Sequence, residues 1–127
     1  MGGMVDKNPI IKWHDEPEAQ DYPAAKNYLT LIIKPSEAKA AVTKLKTAKV
    51  MEFAAKDIFR ATRLSLLGIS NSHVKKDRAK IVAHEKLSPL LLYRDKRNGR
   101  VVIADGYHRL CAVYSVDEDA VIPCKIV

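Results

Sequence analysis

Apolar and polar positions divide this chain into a helix-patterned first two thirds and a strand-rich final third. From Asp21 the apolar residues Ala25, Tyr28, Leu29 and Ile32 recur at helical spacing, behind a Pro23 suited to a first turn. A strand over Tyr28 to Ile33 competes, because Leu, Thr and Ile dominate that stretch; helix is the reading adopted here. Pro35 and Ser36 restart the chain, and Ala38, Ala41, Val42 and Leu45 form one stripe with Lys39, Lys44 and Lys46 off it. A third helix is expected from about Val50 to Leu64, with Met51, Ala54, Ala55 and Ile58 as its apolar face, Phe53 and Phe59 widening it, and Lys56, Arg60 and Arg63 outside. Gly68 to His73 is rich in turn formers and reads as a loop, and Lys75 to Glu85 as a charged helix anchored by Val74, Ile81 and Val82.

The pattern then changes period. Leu90 to Tyr93 and Val101 to Ile103 are apolar runs on either side of Asp95 to Arg100, whose Asn98-Gly99 favours a tight hairpin, so these two strands should pair antiparallel. The second run extends to Ala104 and stops at Asp105-Gly106, after which Leu110, Ala112 and Val113 follow helical spacing: a strand turning directly into a helix. Asp117 to Asp119 is a polar turn, and Val121 to Val127 is a closing strand, with Pro123 suggesting an edge position. Residues 1 to 20 show no period and are expected to form an irregular arm across the body, pinned by Trp13. Together these elements predict an α+β fold, with a small mixed or antiparallel sheet drawn from the C-terminal third and covered by the helices that precede it.

Length adds that 127 residues form a single domain. No apolar run approaches the roughly 20 residues that span a bilayer, and the start has neither a signal-peptide core nor a myristoylation pattern. A cytoplasmic protein without a membrane partner is therefore expected. Cys111 and Cys124 have no metal spacing and sit on apolar elements, where free cysteine behaves as a small hydrophobe; a disulfide between them is the alternative. The net charge of +7 is uneven: residues 34 to 109 hold 18 Lys/Arg against 7 Asp/Glu, and the segments on either side are acidic. That basic middle is either a set of solvated helix faces or an attraction for nucleotides or nucleic acid.

The strand-to-helix turn carries the chemistry. Asp105 is suited to N-cap the helix and Gly106 to a tight backbone approach, which leaves free N–H groups at Gly106, Tyr107 and His108 beside the side chains of His108 and Arg109. Unpaired N–H groups, a helix dipole and a guanidinium on one spot make an anion site. The plain alternative is that Asp105 only caps, Gly106 only turns and Arg109 is solvated. The box ADGYHRLCA, between LSPLLLYRDKRNGRVVI and IPCKIV, resembles the core of the ParB/sulfiredoxin superfamily over about residues 86 to 127. The resemblance implies a ParB/sulfiredoxin-like fold whose box, here Asp105, Gly106, Tyr107, His108 and Arg109, binds nucleotide phosphates: ATP in sulfiredoxins and free-serine kinases, CTP in ParB proteins. Tyr107 stands where sulfiredoxins carry their reactive cysteine, so sulfinic acid reduction is not expected. ParB proteins continue into a helix-turn-helix domain after this module, whereas the sequence here ends at Val127.

Three functions follow as expectations. The first is a nucleotide- or phosphate-binding domain, as a phosphotransferase or nucleotide hydrolase in which Asp105 holds Mg²⁺ and His108 contacts the transferred group. The second is a non-enzymatic, DNA-associated ParB-like protein working through its basic surface. The third is a degenerate protein-interaction domain. Secondary candidates for a phosphate groove or a ligand-facing loop are Arg60, Arg63, Asn71, Ser72 and His73, each with a bland alternative as solvated residue or helix cap. His14, Asp15, Glu16 and Glu18 on the arm are either solvated or metal ligands. Free-serine kinases of the superfamily use a carboxylate base, which such an acidic arm can supply.

Overall fold

A computed structural model describes residues 10–68 and 71–127; positions 1–9, and Ile69 and Ser70 of the expected Gly68-to-His73 loop, lie outside the described residues. In chain order the elements are β1 (Lys12–Trp13), α1 (Asp21–Leu29), α2 (Pro35–Thr47), β2 (Met51–Ala54), α3 (Ala55–Thr62), α4 (Ser72–Val82), β3 (Lys86–Leu87), β4 (Leu90–Asp95), β5 (Arg100–Asp105), α5 (Tyr107–Val116) and β6 (Val121–Ile126). The result is a mixed α+β fold. Its four-stranded sheet has the order β2-β6-β4-β5, with β4 parallel to β6 and the other pairs antiparallel; β1 and β3 make a separate two-stranded parallel pair.

Period-2 alternation in the sheet sorts its side chains to two cores. Leu90, Leu92, Ile103, Ile122 and Cys124 face α3, α4 and α5, together with the fully buried Leu110, Cys111, Ala112 and Val113 of α5. Leu91, Val102 and Ala104 face α1 and α2, where Ala25, Leu29, Ala38, Ala41, Val42 and Leu45 complete the layer. The sheet is thus enclosed on both faces. Cys111 and Cys124 are free and buried, as small apolar side chains.

Several expectations need correction. The third helix does not start at Val50: Met51–Ala54 is an edge strand pairing with β6, with Phe53 opposite Ile122. Periodicity over so short a stretch fits either state, and the partner strand decided it. Helix α3 begins only where Ala55 and Lys56 can donate to the carbonyls of Ala120 and Glu118. It follows that the sheet is not drawn from the last third alone, and its covering helices include α5 from that same third. Pro123 is not on an edge strand, since β6 lies between β2 and β4. Pairing to β4 begins only at Cys124, so the missing N–H of Pro123 falls opposite Glu52 of β2, before the second neighbour arrives. Helix α1 ends at Leu29, leaving Ile32 in a turn, and the expected charged helix starts earlier, at Ser72, with Val82 exposed rather than anchored. The arm is not wholly irregular: Trp13 pairs with Leu87, and the His14 amide donates to the Leu87 carbonyl at 2.8 Å.

Candidate functional site

The end of β5 carries the first device. Leu92 pairs with Ile103 but Leu91 pairs with Asp105, so Ala104 is an extra residue, a β-bulge in the strand. Directly paired residues share a face, and Asp105 consequently turns toward α1, where Asp21 waits. Gly106 follows at φ +109°, a conformation that side-chain-bearing residues rarely adopt. A Cβ there would stand 2.8 Å from both the Leu90 Cγ and the Arg109 Nη2, which means that the guanidinium lies folded over the glycine.

Asp105 does not cap α5, contrary to the expectation from sequence. Gly106 occupies the N-cap position and no side chain bonds back to the first turn, because the bulge and the positive φ aim the Asp105 carboxylate elsewhere. It accepts from Arg109 Nη2 at 2.7 Å, while Nη1 lies 3.9 Å from Asp21 Oδ1. The Arg109 side chain is 16 % exposed and its Nε is buried without a partner. Burial, and secondarily the neighbouring Asp21, push the Asp105 carboxyl above its ordinary range in spite of the guanidinium. The first backbone bond of α5 runs from the Leu110 amide to the Gly106 carbonyl at 2.9 Å, so the amides of Tyr107, His108 and Arg109 precede the ladder and face the pocket end of the helix.

That pocket, about 180 Å³, is lined by Asp105 to Arg109 together with Glu18, Asp77, Lys80, Lys86, Leu87 and Ser88. Of these only Glu18 among the residues outside the box was a candidate from the sequence. It arrives from the arm, where its backbone amide donates to Asp21 and its carboxylate accepts from Ser88 Oγ at 2.8 Å and Gln20 Nε2 at 2.7 Å. Those two bonds hold its carboxyl below the usual range. Asp77 is held above that range by burial and makes no hydrogen bond or ion pair among the described residues. Lys80 sits on the same helix, and Lys86 on β3. None of Asp77, Lys80, Lys86 or Ser88 belongs to a recognisable sequence motif, and the i, i+3 spacing of Asp77 and Lys80 on one helix face was their one signal.

The His108 ring lies tilted against those of His73 and Tyr107, with centroids 4.7 and 5.7 Å away, and burial followed by the His73 neighbour pushes its imidazole below its ordinary value. Tyr107 lines the pocket, but its hydroxyl donates to the Ser65 carbonyl. The other secondary candidates go elsewhere. Asn71 is a helix cap, accepting from the amides of His73 and Val74 at 3.0 and 3.2 Å, and Ser72 is an exposed first-turn residue of α4. Arg60 pairs with Asp57, and Arg63 reaches the Gly99 carbonyl at the opposite end of β5, so neither contributes to a phosphate groove at this pocket. On the arm, Glu16 pairs with Lys125 and His14 with Glu18; among the described residues no cluster of three His, Cys, Asp or Glu is arranged to hold a metal ion.

No protein-family model matches the chain, and neither does any curated protein or any solved structure. Among the described residues no helix is long and apolar enough to cross a membrane.

Proposed function

We propose that this chain is a phosphate-binding domain of ParB/sulfiredoxin type, with the phosphates of a nucleotide in the pocket at the start of α5. One observation carries the reading: Lys80, Lys86, Arg109 and His108 converge with the uncapped amides of Tyr107 to Arg109 on a single small pocket. Its volume of about 180 Å³ lies below the ~300 Å³ at which drug-sized sites begin. It suits a phosphate group or short phosphate chain, with sugar and base outside. Within this reading Arg109 has a double function. It is anchored by Asp105 and stands over Gly106, a fixed cation rather than a free one.

Magnesium held by Asp105 does not fit the donor set. One carboxylate oxygen already accepts from Arg109 and the side chain is only 20 % exposed, whereas Mg²⁺ takes accessible oxygens and keeps several of its waters. We therefore assign Asp105 to holding Arg109, and no catalytic step is derived for it. The nucleic-acid reading receives less support from the placement of charge: Lys39, Lys44 and Lys46 lie on α2 at one face of the sheet, and Lys75, Lys76 and Lys80 on α4 at the other.

The test is a thermal-shift series with ATP, CTP, GTP and inorganic phosphate, on the wild type and on Lys80→Ala/Lys86→Ala. A ligand at 100 times its dissociation constant should stabilise the wild type by about 2.7 kcal/mol. The double variant should lose most of that shift. Equal shifts in both proteins, or none with any phosphate compound, would overturn the assignment.

A further inference from the structure

Charge is not balanced evenly inside the pocket. Asp105 is neutralised by Arg109, and Glu18 is held by Ser88 and Gln20, but Asp77 faces the same space with no bond of its own among the described residues. His108 lines the pocket with it, and the ring of His73, one helical turn before Asp77 on α4, lies tilted against the His108 ring with centroids 4.7 Å apart. An anion entering here brings negative charge beside a carboxylate that no hydrogen bond or ion pair among the described residues holds. A proton taken up by the acid or by the imidazole removes that conflict, and in the second case also adds a cation next to the ligand.

We propose, building on the phosphate reading above, that anion binding in this pocket is coupled to proton uptake by the Asp77 and His108 pair. The surroundings favour it from every side. From α4 come His73, Asp77, Lys76 and Lys80; from α5 itself, Tyr107 and Arg109; from β5, Asp105; from β3, Lys86; and from the arm, Glu18. Neither α3 nor β4, which also pack on α5, places a titratable side chain in the pocket lining among the described residues. Burial raises the affinity of Asp77 for its proton and lowers that of His108, which draws the two groups' titrations toward one another. Both side chains line the one pocket, so a single proton held by either group lies beside an incoming anion. The functional consequence is a site that fills more readily as the pH falls.

Sulfate is the probe, because it exchanges no proton of its own between about pH 5.5 and 8, the range in which the imidazole titrates. Calorimetric titration in buffers of differing ionisation enthalpy counts the protons taken up. The wild type should take up a substantial fraction of one proton per sulfate, with affinity rising by up to about tenfold per pH unit lowered, the limit for one coupled proton. Asp77→Asn should bind more tightly than wild type near pH 7.5 and take up less. His108→Gln should also take up less, and the double variant should bind with no pH dependence. Sulfate bound by the wild type without proton uptake, or undiminished uptake in both single variants, overturns the coupling and leaves the phosphate pocket standing. No sulfate bound by wild type or by Asp77→Asn at any pH overturns both.

Discussion

Arg109 and Gly106 are held together by contact, and the consequences of changing either follow from that. Replacing Arg109 with Ala would leave the Asp105 and Asp21 carboxyls facing each other in a half-buried site with no cation between them. Unfolding in urea at neutral pH should show a loss of about 3 kcal/mol, the usual cost of breaking a buried pair by removing one partner. A variant within about 0.5 kcal/mol of wild type, the range of an ordinary surface change, would show that the pairing has no structural value. Gly106→Ala combines a disfavoured backbone conformation with a Cβ pressed on Leu90 and the guanidinium, and should cost about 2–4 kcal/mol in the same measurement. His108 gives a pH signature. Its imidazole is held below the ordinary value of 6.5, so the unfolded chain binds the proton more readily than the folded one. Its contribution to stability is present above pH 6.5 and is lost as the pH falls through the depressed folded value. Asp77 and Asp105, both raised, act in the opposite sense: stability is regained as the pH falls through their raised values toward the ordinary 3.8. Subtracting the stability profile of His108→Asn from that of wild type should isolate the loss below pH 6.5, and a flat difference would contradict it.

At the scale of elements, the pocket is a meeting of five pieces, α4, β3, β5, α5 and the arm, most of them placed by a local device of their own. Helix α4 starts where Asn71 caps it, and this start sets His73 and Asp77 against α5. Asn71→Ala should cost about 1 kcal/mol, the usual value of an N-cap, and should accelerate amide exchange at His73 and Val74. Unchanged protection at both amides would mean that packing alone holds the first turn. Strand β5 is extended by a bulge at Ala104, and α5 begins without a side-chain cap, so the helix leaves its first amides to the pocket. The hold on the arm is unusual. Among the described residues Lys125 is the largest fully buried side chain, 1 % exposed near the end of β6, and its Nζ reaches Glu16 at 2.7 Å and the Lys46 carbonyl at 3.0 Å. Hydrogen bonds to Glu16 and Tyr22 keep the ammonium charged despite burial. Since Glu16 is itself largely solvated, Lys125→Met replaces a buried cation by an apolar chain of similar volume and strands no buried charge. Stability should change by no more than about 1 kcal/mol, while exchange at the His14 amide rises because the arm has lost its clasp. A large loss of stability with the arm still protected would show that Lys125 supports the sheet instead.

Across the whole molecule, local pattern accounts for much of the fold. The stripe of Ala38, Ala41, Val42 and Leu45 is buried as its spacing requires, the hairpin turns at Gly99 with positive φ, and the strand from Val101 passes directly into α5. These features are legible in sequence because each depends on residues within a turn or two of one another. The same holds for the box Asp105 to Arg109, whose residues do line one pocket. What the sequence could not determine is set by contacts between distant segments. Met51–Ala54 became a strand because β6 offers it hydrogen bonds, and Pro123 lies inside the sheet because β2 takes the outer edge. Asp105 turned from a cap into the partner of Arg109 because a bulge, defined only by pairing with β4, aims it at Asp21 on α1. Asp77, Lys80, Lys86 and Ser88 were invisible as a site because their side chains meet only when α4, β3 and the arm close around the start of α5. Periodicity and turn chemistry are written in neighbouring residues. Strand order, register and the convergence of charge are properties of chain segments that only folding brings together.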